Sequence, residues 1–143
     1  MLIRPFEPAD TEPVVALWER CGLTRPWNEP RKDIQRKLTV QPDLFLVGVR
    51  DMTVIATVMA GYDGHRGWVN YLAVDPDQRD QGLARRLMSV VELRLVALGC
   101  PKISLQVRVG NADALAFYAA IGYESDNTLV LGKRLTTDER PDG

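Results

Sequence analysis

Apolar residues recur at steps of three and four in four stretches of the chain, the spacing that gathers them on one face of an α-helix. These stretches run from about 11 to 21, from Pro30 to before Gln41, from Gly82 to Gly99, and from 112 to 121 after Asn111. A glycine follows three of them, at positions 22, 99 and 122, as is typical where a helix ends. The pattern therefore predicts four helices.

Between these helices, apolar and β-branched runs predict strands at 2–6, 44–50, 53–62, 68–75, 102–109 and within 123–135. Short polar turns join the second, third and fourth runs into an antiparallel meander. The order β-α-α-β-β-β-α-β-α-β predicts an α/β (α+β) fold with a mixed central sheet, antiparallel early and parallel late, and helices on both faces. No repeat or linker interrupts it, so we expect one domain over residues 1–135 and a polar C-terminal tail over 136–143.

Composition narrows the function classes. The 143 residues include 18 Lys and Arg against 19 Asp and Glu, a formal net charge of −1, which gives no overall field for holding a nucleic acid or an anionic membrane. The longest apolar run, Val54–Ala60, is far below the roughly 18 residues that span a bilayer, and no signal-peptide core is present. Cys21 and Cys100 have no metal-site spacing. We expect a cytoplasmic protein with no metal site and no nucleic-acid or membrane partner.

Ligands of such sheets bind beyond the carboxyl ends of parallel strands, which here are Asp75 and Val109. After Asp75 a polar loop leads into a helix at Gly82, with Ala84 two residues on. Small residues let a ligand approach the backbone, and the free N–H groups of a first helical turn favour a pyrophosphate. Arg79, Arg85 and Arg86 would add positive charge. An ordinary strand-to-helix connection with solvated arginines fits the same residues, so the pattern alone leaves both interpretations open.

Arg79-x-x-Gly82-x-Ala84 resembles the acetyl-CoA signature of the GNAT N-acetyltransferases, Arg/Gln-x-x-Gly-x-Gly/Ala. The stretch from Asn111 to Tyr123 resembles the family's second motif: an Asn, a helix carrying a Tyr, and a Gly-aromatic pair. The element order also resembles theirs. Segments 17–21, 25–28, 61–67 and 99–103 are similar to the bacterial YpeA-type subgroup. Asp80 departs from the family pattern, which commonly has a glycine there, and its carboxylate must point away from a pyrophosphate.

The resemblance implies a GNAT fold with acetyl-CoA as the acetyl-donor cosubstrate. In that family the third meander strand and the next parallel strand splay apart, and the pantetheine arm lies between them. Carried over to this sequence, Leu72, Ala73 and Val74 would pair with pantetheine, and the Leu72 N–H would donate to the thioester oxygen. Asn111 would reach the arm from the other side. The residues that would surround the pyrophosphate are Arg79, Asp80, Gln81, Gly82, Leu83, Ala84 and Arg85. By sequence alone, residues 72–74 also fit an ordinary core strand.

Tyr118 is the candidate general acid. Coenzyme A leaves as a thiolate, and a phenol with a pKa near ~10 is protonated at neutral pH and can donate to it. A buried aromatic on an amphipathic helix is the alternative, and the motif around Tyr118 favours the acid. Tyr123 is interpreted as a packing residue.

The sequence offers several candidates for the general base and for the residues that contact the acceptor. Some relatives use a carboxylate on the strand before Asn111, but the corresponding residue here is Gln106, which cannot act as a base. Asp63, His65, Asp75 or a water chain remain, and an acceptor that binds as a neutral amine needs no base. The candidate substrate contacts are Trp27, Asn28, Glu29, Asp63 and His65. Trp27 also fits a hydrophobic plug for its loop, and Asp63 and His65 fit ordinary turn residues.

These interpretations predict direct transfer of an acetyl group from acetyl-CoA to a primary amine, on a small molecule or a peptide. Two alternatives stay open: a protein N-terminal or lysine acetyltransferase, and a non-catalytic acyl-CoA-binding sensor. The apolar residues Leu129–Leu131 and Leu135 of the last predicted strand are a candidate surface for a homodimer.

Overall fold

The alternating runs form a five-stranded mixed sheet in the computed structural model, which describes residues 1–138. The strands are β1 (Leu2–Pro5), β2 (Phe45–Arg50), β3 (Thr53–Tyr62), β4 (Gly67–Val74) and β5 (Ile103–Leu105), and they lie in that order across the sheet. Neighbours from β1 to β4 are antiparallel, whereas β5 runs parallel to β4. The prediction of a sheet that is antiparallel early and parallel late is confirmed.

The four predicted helices are present as α1 (Thr11–Arg20), α2 (Pro30–Lys37), α3 (Leu83–Ala97) and α4 (Ala112–Ala120). The glycines after α1, α3 and α4 take positive φ angles of 69°, 84° and 98°, so the predicted helix ends are confirmed. None of the helices within residues 1–138 combines the length and the apolar character needed to cross a membrane.

Alternation along the central strands sends side chains into two cores, one on each face of the sheet. Phe45 and Val47 of β2 pack with Trp18 on the face covered by α1 and α2. Leu46, between them, packs with Leu87 on the face covered by α3. Helices therefore cover both faces, as the sequence predicts.

The structure corrects two strand predictions. The strand predicted at 102–109 ends at Leu105, and no strand forms within 123–138. Three paired residues of β5 give little edge for a further strand to join, and the apolar side chains from Leu129 to Leu131 stay exposed. The prediction of a last strand is therefore wrong for the described residues.

The predicted polar tail includes one residue that packs against the domain. Asp138 is buried, accepts a hydrogen bond from the Glu29 N–H at 3.0 Å and pairs with Arg36 of α2. The rest of the predicted tail, residues 139–143, lies outside the described residues.

Candidate active site

The site begins where two parallel strands separate. β4 and β5 pair over only three positions, from Gly67 opposite Ile103 to Val69 opposite Leu105. Beyond them β4 continues to Val74, whereas the chain after Leu105 leaves the sheet. A cleft of about 900 Å³ lies on this side of β4, and Leu72, Asn111 and Tyr118 are among its lining residues.

A β-bulge in β4 shapes the wall of this cleft. Thr57 of β3 lies opposite Ala73 and Met59 opposite Asn70, so β4 carries one residue more than its partner between these positions. Tyr71, in the bulge, has a φ of 52°, a left-handed conformation that is strained for a bulky residue. A bulge takes backbone groups out of the regular ladder, and here it does so beside Leu72.

Buried contacts hold the bulge from the other face of the sheet. The Trp18 indole stacks on the Tyr71 ring with centroids 3.7 Å apart and donates through Nε1 to the Thr57 hydroxyl at 2.9 Å. Thr57 in turn donates to the Tyr71 carbonyl at 2.9 Å and is fully buried. The strained residue is therefore fixed by both its ring and its carbonyl.

The loop after β4 presents the start of α3. Asp75 accepts from the Asp77 N–H at 2.9 Å and starts a short 3-10 turn, Pro76–Gln78. Gly82, directly before α3, has a φ of 72°, and no side chain caps the helix. The N–H groups of the first turn of α3 therefore have no side-chain cap, as an anion site requires.

Asp80 occupies this loop with a φ of 62°, a conformation that favours glycine. Its geometry explains why a glycine suits this position, and Asp is one of the few other residues that tolerate it. The Arg50 guanidinium holds the loop by donating to Gln78 and Gln81, both at 2.8 Å. The cleft is not lined by Ala73, Val74 or the predicted pyrophosphate residues Arg79–Arg85. The loop that follows β4 instead continues from this wall of the cleft to α3.

Tyr118 of α4 reaches the cleft opposite β4. Its ring meets Phe117 and Tyr123 edge-on, with centroids 5.1 and 5.7 Å away. Burial raises the pKa of Tyr118 to about 12, so its hydroxyl stays protonated at neutral pH. Asn111, which also lines the cleft, accepts from the Ala114 N–H at 3.1 Å and caps α4.

The acceptor candidates separate into two groups. Trp27 and Asn28 line the cleft. Glu29 does not: it is buried, and it caps α2 by accepting from the Arg31 N–H at 3.0 Å. Asp63 and His65 lie in the exposed turn between β3 and β4, where Asp63 accepts from the backbone N–H groups of His65 and Arg66, each at 2.7 Å. These bonds lower the pKa of Asp63 and fit a turn-forming role.

Other polar residues of the cleft were missed by sequence reasoning. Asp33 of α2 accepts from the Tyr71 hydroxyl at 2.6 Å, from Arg36 at 3.0 Å and from the Asn28 amide. Burial, and then the hydrogen bond to Asp33, raise the pKa of Tyr71 well above its usual value. No spacing marks Asp33, because its place in the cleft depends on how α2 lies over β4. Tyr71 could have been noticed as the aromatic neighbour of Leu72.

Comparisons with known proteins identify the family of the chain. Residues 10–123 match the sequence profile described as the acetyltransferase (GNAT) family. A protein named acetyltransferase SG1711 from Sodalis glossinidius is 51% identical over 97% of this chain and 99% of its own length.

Two solved structures are similar in fold. One is AAC(6')-Iy in complex with the bisubstrate analogue CoA-S-monomethyl-acetylneamine, with a TM-score of 0.76 at 17% identity, covering 94% of this chain and 98% of the other. The other is the ribosomal-protein-S18-alanine N-acetyltransferase from Escherichia coli, with a TM-score of 0.70 at 23% identity, covering 85% and 76%.

Proposed function

Because this chain belongs to the acetyltransferase (GNAT) family and is an N-acetyltransferase, we propose that its donor is acetyl-CoA and its acceptor a primary amine. The observation that carries the proposal is the opening between β4 and β5, with Leu72 and Tyr118 lining one cleft. A thioester placed there has a backbone wall on one side and a protonated phenol on the other. Acetyl-CoA, when bound, supplies the activated acetyl group.

The donor end of the site would consist of backbone groups. Residues 70–74 of β4 continue past β5 and can pair with the amides of a pantetheine arm. The uncapped start of α3 would hold the diphosphate, with Arg79 and Arg85 adding positive charge. Support comes from AAC(6')-Iy, of similar fold, whose structure contains a CoA-based bisubstrate analogue.

Two groups would assist the transfer. The Leu72 N–H, beside the bulge, would donate to the thioester oxygen as that oxygen gains charge in the tetrahedral transition state. The Tyr118 hydroxyl would protonate the departing thiolate. Holding donor and amine side by side in one cleft would supply much of the remaining acceleration.

The identity of the acceptor distinguishes a small-molecule acetyltransferase from a protein acetyltransferase. The structural neighbours include both an aminoglycoside N-acetyltransferase, AAC(6')-Iy, and a ribosomal-protein-S18-alanine N-acetyltransferase. Gln106 lines the cleft, and the family resemblance matches it to a carboxylate of the ribosomal-protein N-terminal acetyltransferases, so its amide argues against that type of acceptor. The alternative of a non-catalytic acyl-CoA sensor predicts binding without turnover.

The test is thiol release from acetyl-CoA, with acetylated products identified by mass spectrometry. Small primary amines, lysine peptides and peptides with free N-termini form three separate acceptor sets. Acetylation of small amines at a rate above thioester hydrolysis supports the proposal. Turnover confined to peptides would favour the protein-modifying form, and tight acetyl-CoA binding with no turnover in any set would contradict the proposal.

A further inference from the structure

The cleft carries more positive than negative charge on the side where the acceptor would bind. Among the described residues that line it, four are basic, Arg25, Arg36, Lys37 and Arg108, and one, Asp33, is acidic. Arg36 donates to the Asp33 carboxylate at 3.0 Å, and both Arg36 and Arg134 pair with the buried Asp138. Two arginines therefore compensate these two carboxylates, which leaves the charges of Arg25, Lys37 and Arg108. An approaching ligand therefore meets an excess of positive charge.

The donor's phosphates do not account for this charge. Three of the four basic residues belong to the segment from Arg25 to Lys37, which forms the acceptor wall. The proposed diphosphate site has its own arginines, Arg79 in the loop and Arg85 in the first turn of α3, and neither lines this cleft. The positive charge of the acceptor wall is thus a separate feature.

Arg25 is the basic residue of this wall best prepared to bind a ligand. It starts a tight turn with Pro26 at the second position, closed by a hydrogen bond from the Asn28 N–H to the Arg25 carbonyl at 3.1 Å. One guanidinium nitrogen donates to the carbonyls of Gly22 and Thr24, both at 2.8 Å, which fixes the group. Within residues 1–138 Arg25 forms no ion pair, so its other donors can meet an anion from the cleft.

We propose that the acceptor carries a carboxylate or similar anionic group besides its amine, and that Arg25 binds this anion. The inference rests on the proposed acetyltransferase function and names the acceptor class for that site. It also bears on the missing base. With Arg25 paired to the acceptor's anion, the remaining positive charge of Lys37 and Arg108 disfavours an ammonium group, so the amine gives its proton to water more readily before it attacks, and no dedicated histidine or carboxylate is required.

The experiment compares amines that differ only in a carboxylate: L-phenylalanine with phenethylamine, L-lysine with cadaverine, and glycine with methylamine. Each is assayed for kcat/KM at saturating acetyl-CoA. We expect the carboxylate-bearing member to be better by about 10- to 100-fold in at least one pair, the range for a hydrogen bond to a charged group. Arg25→Gln should remove most of that preference by raising the KM of the carboxylate-bearing member, and should change the other member by less than about twofold.

Two controls separate binding from folding. Arg66→Gln removes an arginine from the β3–β4 turn outside the cleft and should leave the preference intact. The KM for acetyl-CoA and the thermal midpoint of Arg25→Gln should match the wild type, and Arg25→Lys should keep part of the preference because it keeps the charge.

Equal or faster acetylation of the decarboxylated amines would overturn this inference while leaving the proposed function standing. A full preference in Arg25→Gln would overturn the assignment of the anion to Arg25. Failure of every amine and peptide, in a protein that binds acetyl-CoA, would instead contradict the proposed function itself.

Discussion

Replacing Tyr118 by Phe should lower catalysis strongly and leave the stability of the fold nearly unchanged. The Tyr118 hydroxyl has no hydrogen-bond partner within residues 1–138, so its removal leaves no buried donor or acceptor unpaired. The ring keeps its edge contacts with Phe117 and Tyr123. We expect the free energy of unfolding to change by less than about 0.5 kcal/mol, as for most substitutions that disturb no packing.

The kinetic effect should be large by comparison. A positioned general acid contributes about 10²- to 10⁴-fold, so kcat should fall by at least about 100-fold in Tyr118→Phe. Because the phenol takes part in leaving-group departure, the KM for acetyl-CoA should stay within about threefold. The phenol can donate a proton only while it is protonated, so the wild type should lose this contribution to kcat as the pH rises through about 12. Near neutral pH, deprotonation of Tyr118 should therefore not lower kcat.

Tyr123→Phe is the matched control. Burial, with lesser effects from Glu92 and Tyr118, also raises the pKa of Tyr123 to about 12, but Tyr123 does not line the cleft. Steady-state thiol release with the best acceptor should give near wild-type kcat for this variant. If Tyr118→Phe keeps more than a third of wild-type kcat, or if both variants fall equally, the assignment of Tyr118 as the acid is wrong.

Three further outcomes follow from the structure. Asp80→Gly removes an aspartate with a left-handed backbone conformation, and its negative charge, from the proposed diphosphate loop. Calorimetry should show acetyl-CoA binding about fivefold more tightly, and this gain should shrink at high salt. A gain that salt does not affect would argue against charge repulsion between Asp80 and the diphosphate. Leu87→Ala empties a fully buried position and should cost about 2–5 kcal/mol in urea unfolding, so a cost below 1 kcal/mol would place Leu87 outside the core. Asp10 accepts from Arg4 at 2.8 and 3.0 Å, which lowers its pKa below 3.8, so its stabilisation is present above that pH and fades as the pH falls through the folded-state value. Asp10→Asn should therefore cost about 1–2 kcal/mol at pH 7 and progressively less as the pH falls below 3.8, and a cost that does not change over this range would contradict the assignment.

The fold could be predicted from the sequence wherever local pattern and burial agree. The spacing of apolar residues gives helices α1 to α4, and β3 runs from Thr53 to Tyr62 as predicted. The last strand could not be judged this way, because the apolar run Leu129–Leu131 indicates a strand but cannot show whether a sheet edge is there to receive it.

The candidate site could be predicted only in part, because some of its features depend on how separate elements pair in the fold. Leu72 and Tyr118 sit within recognisable motifs, whereas the bulge at Tyr71 is a one-residue mismatch between β3 and β4 that neither strand shows alone. Glu29 did carry a signal that was missed: Pro30 is typical of the first position of a helix, which places Glu29 at the N-cap.

A crystal structure of the protein with a non-hydrolysable acetyl-CoA analogue would show where the donor binds. We expect the pantetheine arm beside β4 residues 70–74 and the diphosphate against the first turn of α3. We further expect the acyl oxygen within about 3 Å of the Leu72 nitrogen, and the sulfur facing the Tyr118 hydroxyl. An analogue bound outside the gap between β4 and β5, or with its acyl group turned away from both residues, would contradict this expectation.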